Sequence, residues 1–240
     1  DWKDEGAMVQ SPAVAILIQH PTLGNILYDT GNCEDFSAVY TEEMLHDYPI
    51  TEMISIQEAL AQKGLTPDDI DLIILSHLHF DHAGGLKHFV GTKAIRRVLV
   101  SEADLKNAYW SVMTGNGGAY IRSLFDVEGI QFQTIRETTK LAEDLELFIQ
   151  ASHTPGVIGM VLKTDHHGTI LTTSDTIYTA ESYEKELPPG GTINKTTDEF
   201  FDNLKRIKEM EKQSTDTLLF GKDYDQIMDW VACILMKQVF

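Results

Sequence analysis

The most constraining feature of this sequence is an apolar strand that runs directly into a histidine-rich loop. The predicted strand at residues 71–76 contains the uninterrupted apolar run 72–75, which is typical of a strand covered on both faces. His77, His79, Asp81 and His82 follow within six residues. Imidazole nitrogens and a carboxylate oxygen are common ligands of zinc, and loops at strand ends are where α/β proteins form sites. The pattern therefore predicts a transition-metal site, and an exposed, histidine-rich loop is the alternative interpretation.

Strand and helix signals alternate along the rest of the chain. The predicted strands cover residues 13–18, 26–31, 71–76, 97–100, 131–135, 145–151, 160–163, 169–173 and 217–220. The predicted helices cover residues 56–63, 197–210 and 223–236, and a further helix begins after Ser101 as its N-cap. Residues 104–128 are aromatic and are predicted to be irregular. Two strand-rich halves, each followed by helices, predict a pseudo-symmetric sandwich.

Length, charge and cysteine content limit the class of protein. A chain of 240 residues fits one domain over residues 1–240. The net charge of −18 argues against a nucleic-acid partner and against docking on an anionic membrane. No apolar run is long enough for a membrane helix. Two distant cysteines, Cys33 and Cys233, favour a reducing cytoplasm, although a chain that begins at Asp1 leaves secretion open.

Four separate segments together resemble the metallo-β-lactamase superfamily. They are the His-Xaa-His-Xaa-Asp-His run at 77–82, the Asp-Thr-Gly turn at 29–31, the His-Thr-Pro-Gly loop at 153–156 and the Ser-Asp pair at 174–175. Within the superfamily, residues 76–85 look most like the N-acyl homoserine lactone hydrolases, as does a tyrosine three residues after Asp175. The resemblance implies an α/β fold, a four-layer αββα sandwich with two sheets packed together and helices outside.

The resemblance also implies roles for individual residues. His77, His79 and His153 would bind a first metal, Asp81 and His82 a second, and Asp175 would bridge both. The metal would be zinc, one or two ions per chain, with iron, manganese and cobalt as alternatives.

The implied reaction opens a small-molecule lactone or related ester. A metal-activated water would attack the carbonyl, Tyr178 would contact the developing oxyanion, and Asp81 would pass a proton to the leaving alcohol. Taken alone, His153 also fits an ordinary turn, Asp175 a strand-end cap and Tyr178 a half-buried packing residue.

Lys222 departs from the family pattern. The family places its last metal-binding histidine after a strand, in a Phe-Gly-His-Asp-like setting, and residues 220–223 here read Phe-Gly-Lys-Asp. An ammonium group has no lone pair for a metal. The Lys222 side chain is expected either to point away from the site or to place its ammonium group at the second metal position, beside Asp81 and Asp175. We favour the second outcome. In both cases the second metal should bind more weakly than the first.

Two other functions stay open on the sequence alone. A glyoxalase II-type thioester hydrolase shares the 77–82 motif, but it would need a cluster of basic residues for an anionic substrate, and none is evident. A weakly active or non-catalytic relative that binds a small molecule is favoured by Lys222. Nothing in the sequence decides whether the chain forms a homodimer.

Overall fold

The first half of the chain folds into one twisted sheet. A computed structural model describes residues 9–188 and 197–237. In these residues the first sheet has the order β1-β2-β3-β4-β5. β1 and β2 form an antiparallel hairpin, and β2 to β5 run parallel. The bounds are β1 Ile16–His20, β2 Gly24–Tyr28, β3 Ile70–Ile74, β4 Val98–Ser101 and β5 Phe132–Ile135.

The second half builds a second sheet of the same size within the described residues. Its order is β10-β9-β8-β7-β6, and its strand pairs are antiparallel except for the parallel pair of β9 and β10. The bounds are β6 Thr139–Ala142, β7 Leu145–Gln150, β8 Val157–Thr164, β9 Gly168–Thr172 and β10 Thr217–Leu219. The chain therefore forms its two sheets one after the other, as the two strand-rich halves predicted.

Helices connect the strands, and several begin at capping residues that the sequence marks. Ser55 and Glu58 form a reciprocal capping box at the start of α3, and the Ser101 hydroxyl accepts from the Asp104 amide at the start of α5. Within the described residues the helices are α1 Phe36–Val39, α2 Glu42–Asp47, α3 Ile56–Ala61, α4 Phe80–Ala83, α5 Glu102–Met113, α6 Arg122–Phe125, α7 Ala180–Glu184, α8 Thr197–Ser214 and α9 Tyr224–Lys237. None of these helices combines the length and apolar character needed to cross a bilayer.

The apolar core lies in layers that define the sandwich. Between the sheets, Ile26 and Ile74 of the first sheet pack in one cluster with Leu147 and Met160 of the second. The outer face of the first sheet is covered by helical residues of α3 and α5. The outer face of the second sheet is covered by α8, through the set Phe200, Leu204 and Ile207. The predicted α/β fold, a four-layer αββα sandwich, is confirmed.

Three local predictions differ from the structure. Residues 104–128 were expected to be irregular, but they include most of α5 and all of α6, whose Tyr109 and Phe125 rings pack edge to face. β6 was not predicted, since its segment is short and lacks apolar alternation. The first strand begins at Ile16 rather than at residue 13.

Candidate metal centre

The candidate residues all follow the carboxyl ends of strands. Asp29 follows β2, His77 follows β3, His153 follows β7 and Asp175 follows β9. The two sheets meet at this edge, where the Ile158 amide of β8 donates to the Ser76 carbonyl at 2.7 Å. Strand ends from both sheets therefore bring residues distant in sequence to one place.

Three histidines form the centre of the site. The ligand atoms of His77, His79 and His153 lie within 4.8 Å of one another, and His153 Nε2 is 3.0 Å from His79 Nδ1. Burial first, and then the neighbouring histidines, hold the pKa of His77 and of His79 well below the usual range. Burial also lowers the pKa of His153, and the Asp175 carboxylate opposes this shift. The rings are therefore neutral, as metal ligands must be.

The donor set fits a metal ion. His77 Nδ1 lies 3.1 Å from the Ser76 hydroxyl, whereas His77 Nε2 is buried and has no hydrogen-bond partner among the described residues. Buried polar atoms in folded proteins nearly always have a partner. A free imidazole nitrogen that faces two others is the donor arrangement that zinc, iron, manganese and cobalt accept.

Asp175 joins this cluster to a second group of candidate ligands. Its Oδ2 lies 3.6 Å from His153 Nε2, and its Oδ1 lies 3.3 Å from His82 Nε2. A second set of ligand atoms within 4.8 Å of one another consists of His77, His82 and Asp175. Burial opposes ionisation of Asp175, but the Lys222 ammonium and His82 hold its pKa well below the usual range. Asp175 is thus an ionised carboxylate between the two groups.

Asp29 orients the His82 ring by a hydrogen bond to its Nδ1. The carboxylate Oδ2 of Asp29 accepts from His82 Nδ1 at 2.9 Å and from the Ser76 hydroxyl at 2.7 Å, and Oδ1 accepts from the Ser76 amide at 2.6 Å. Its backbone lies in the left-handed region, with φ of 62°. This arrangement turns His82 Nε2 toward Asp175. The sequence marked Asp29 only as a strand-end turn, and nothing local to it indicates the contact with His82.

Lys222 lies inside the second group rather than outside it. Its side chain is buried, and its Nζ contacts the Asp81 carboxylate, lies 3.3 Å from His82 Nε2 and lies 3.7 Å from Asp175 Oδ2. Burial disfavours the ammonium, but Asp175 and Asp81 hold the pKa of Lys222 well above its usual value.

The neighbours of Lys222 show the same charge coupling. Burial opposes ionisation of Asp81, but Lys222 and His82 lower the pKa of this carboxyl to about 2. Burial also opposes protonation of His82, but Asp81, Asp175 and Asp29 raise its pKa to about 10. Asp81 is therefore tied to Lys222, and it belongs to neither of the two histidine-containing sets.

Tyr178 lies next to the three histidines. Its hydroxyl is 3.3 Å from His153 Nδ1, and its side chain is half-buried. Burial, together with the charges of Asp175 and Asp81, raises the pKa of Tyr178 well above its usual value. The phenol therefore stays protonated and can donate a hydrogen bond.

Asp104 and Tyr120 support the histidine loop, and the sequence did not single them out. Asp104 accepts from the Leu78 amide at 2.8 Å and from the Tyr120 hydroxyl at 2.6 Å. The Tyr120 ring meets the His79 ring edge to face, with centroids 4.5 Å apart. Burial raises the pKa of Asp104 to about 6, and the Tyr120 hydrogen bond opposes this shift. Asp104 lies in the first turn of a helix, where an acidic residue is usually explained by capping. The sequence therefore gives no sign that its side chain points into the protein.

The remaining histidines have other surroundings. His20 pairs with Asp144 at 3.0 Å, and the exposed His46 pairs with Asp47 at 3.0 Å. His166 is exposed, and His167 is half-buried. Cys33 is buried among apolar side chains, as expected of a packing cysteine. None of these side chains belongs to either metal-ligand set found among the described residues.

Known proteins resemble this chain in sequence and in fold. Residues 9–222 match the family Lactamase_B, the metallo-beta-lactamase superfamily. The chain belongs to this superfamily. It is 29% identical over 229 residues to an N-acyl homoserine lactonase of a Bacillus species, an alignment that covers 92% of this chain and 85% of the relative. It is 28% identical over 235 residues to the N-acyl homoserine lactonase AiiB of Agrobacterium fabrum, which covers 91% and 82%.

A solved relative shows the same arrangement of the chain. It is an N-acyl homoserine lactone hydrolase with the product N-hexanoyl-L-homoserine bound at its catalytic metal centre. The TM-score is 0.77 at 28% identity, and the match covers 93% of this chain and 86% of the relative. The predicted resemblance to the superfamily and to its lactone hydrolases is therefore confirmed.

Proposed function

We propose that this protein is a metal-dependent hydrolase that opens a lactone or related ester, with N-acyl homoserine lactones as the substrate class. The observation that carries the proposal is the convergence of His77, His79 and His153 from two separate loops, with the Tyr178 hydroxyl beside them. The relatives named N-acyl homoserine lactonases, which match over most of both chains, support the choice of substrate.

We assign the metal to His77, His79 and His153, whose donor atoms lie within 4.8 Å of one another, with Asp175 as the fourth ligand because its Oδ2 lies 3.6 Å from His153 Nε2. Zinc is the preferred ion for this donor set, and iron, manganese and cobalt accept the same donors. When bound, such an ion lowers the pKa of a coordinated water toward neutrality and polarises a carbonyl group. The three histidines need no proton loss to bind it, because burial already keeps them neutral.

Two side chains of this protein would then act on the substrate. Tyr178 keeps its proton and can donate a hydrogen bond to the lactone carbonyl oxygen as that oxygen gains negative charge. With His153 Nε2 directed at the metal, its Nδ1 proton can be donated to the Tyr178 oxygen, which would align the phenol. Asp81 is ionised and can accept a proton and return it to the leaving alcohol.

Hydrolysis of N-hexanoyl homoserine lactone, followed by mass spectrometry of the ring-opened acid, tests the proposal. We expect turnover that a chelator abolishes and that added zinc restores. Replacement of both His77 and His79 with Ala should reduce turnover to background and remove the metal while the chain stays folded, because its apolar core is formed without the site. His166→Ala is the matched control, since His166 is an exposed histidine outside the site. Turnover that survives chelation, or no turnover of any lactone, would contradict the proposal.

A further inference from the structure

The second group of candidate ligands surrounds a cation of the chain itself, the Lys222 ammonium. The Lys222 side chain is 7% exposed, and its Nζ lies among Asp81, His82 and Asp175. These three residues are the ones that the family resemblance assigns to the second metal. A metal ion and this ammonium group would therefore compete for one position.

The backbone holds Lys222 in this position. Its segment follows β10, which pairs in parallel with β9, and β9 leads to Asp175. The Lys222 amide donates to the Tyr178 carbonyl at 2.9 Å, and the Gly221 amide donates to the Ile177 carbonyl at 3.2 Å. A Cβ on Gly221 would lie 2.6 Å from the Ser174 carbonyl carbon and 2.7 Å from Asp175 Oδ1, so only glycine permits this approach.

The charges favour the ammonium in place. Asp175 is buried and Asp81 is partly buried, both lie beside the Lys222 ammonium, and the two carboxylates would repel each other without positive charge next to them. If Lys222 moved out to admit a metal, its charge would have to cross a buried site and leave both carboxylates. If it stayed, its proton-bearing nitrogen could not donate a lone pair to a metal.

We infer that this protein binds a single metal ion and that the Lys222 ammonium replaces the second metal ion between Asp81 and Asp175. The inference rests on the proposed function in one respect, the assignment of a metal ion to His77, His79 and His153. One of the two cations at the site is then part of the chain, and its presence does not depend on a bound metal ion.

Metal stoichiometry tests the inference without reference to activity. Wild type, Lys222→His and the control Lys93→His are loaded with zinc and freed of loose ions on a chelating resin, and zinc per chain is measured by mass spectrometry. Lys93 also pairs with a carboxylate, Asp71 at 2.7 Å, but at the surface. We expect one zinc in wild type and in the control, and two in Lys222→His. The second zinc should bind at least roughly 100-fold more tightly in that variant than in wild type.

Cobalt substitution gives a second readout on the same samples. Wild type should give the electron paramagnetic resonance signal of one isolated cobalt per chain, and Lys222→His the signal of a coupled pair. Two tightly bound ions in wild type, or no gain of an ion in a folded Lys222→His variant, would overturn the inference. If that variant does not fold, the wild-type count decides alone. A wild type that binds one ion but opens no lactone would contradict the proposed function and leave the inference supported.

Discussion

At the scale of single residues, the site depends on side chains that orient other side chains. His82 presents Nε2 because Asp29 accepts from its Nδ1 at 2.9 Å, and the Ser76 hydroxyl donates to the same oxygen of Asp29. Partners of this kind fix the tautomer and orientation of a ligand ring. Tyr178 stands in a similar relation to His153, and in the proposed reaction it also contacts the substrate. These two roles of Tyr178 can be separated by experiment.

We expect Tyr178→Phe to lower kcat for lactone opening by roughly tenfold to a few hundredfold, with little change in KM, because a donor to the developing oxyanion acts mainly in the transition state. Zinc content should stay unchanged. Steady-state kinetics and zinc analysis of the same samples check this prediction. If the variant without the hydroxyl also loses zinc, Tyr178 mainly orients His153. If kcat is unchanged, Tyr178 is only a packing residue.

At the scale of elements, two glycines of the histidine loop allow α4 to approach the turn after β2. A Cβ on Gly84 would lie 2.3 Å from the Cys33 amide nitrogen, and one on Gly85 would lie 2.5 Å from the Thr30 carbonyl oxygen. The Thr30 amide in turn donates to the His82 carbonyl at 2.8 Å. Close packing of these two segments therefore sets the position of His82.

Gly84→Ala should separate α4 from this turn and weaken metal binding as well as stability. We expect the free energy of unfolding to fall by roughly 1–3 kcal/mol, as for other overpacked sites. Gly64→Ala is the control: Gly64 has φ of 71° with open space around it, so its cost of about 1 kcal/mol comes from backbone strain alone. Urea unfolding and zinc titration compare the two variants. Equal zinc affinity in both would show that the position of α4 does not govern the site.

At the scale of the whole molecule, the sheets share one apolar layer. Ile74 of the first sheet is fully buried in the cluster that also contains Leu147 and Met160 of the second. The Tyr28 hydroxyl donates across the layer to the Ile158 carbonyl at 2.5 Å. Neither sheet can bury this face without the other, and we expect residues 1–240 to unfold as one domain.

A single cooperative transition should therefore appear in urea, with circular dichroism and tryptophan fluorescence giving the same midpoint. Ile74→Ala should lower the free energy of unfolding by about 2–5 kcal/mol and shift both probes together. Val90→Ala, at a half-exposed site, should change it by no more than about 0.5 kcal/mol. Two separated transitions, with Ile74→Ala affecting only one, would show that the halves fold independently.

The sequence by itself predicted the candidate metal ligands and the class of fold. The run at 77–82 and the loop at 153–156 contain donors of known metal chemistry in fixed spacing, the two strand-rich halves predict a sandwich, and the family resemblance implies its four layers. This information is local, because ligand type and strand periodicity are properties of short segments. It extended to Lys222, because an ammonium group has no lone pair for a metal.

Only the tertiary structure decided how distant side chains meet. The inward turn of Asp104, the support of His82 by Asp29 and the burial of Lys222 between two carboxylates all join segments far apart in the chain. Their charge states follow from burial and from neighbours within a few ångströms, which no local pattern encodes. The sequence left two positions open for the Lys222 side chain, outside the site or within it. The pairing of β10 with β9 places its ammonium beside Asp175.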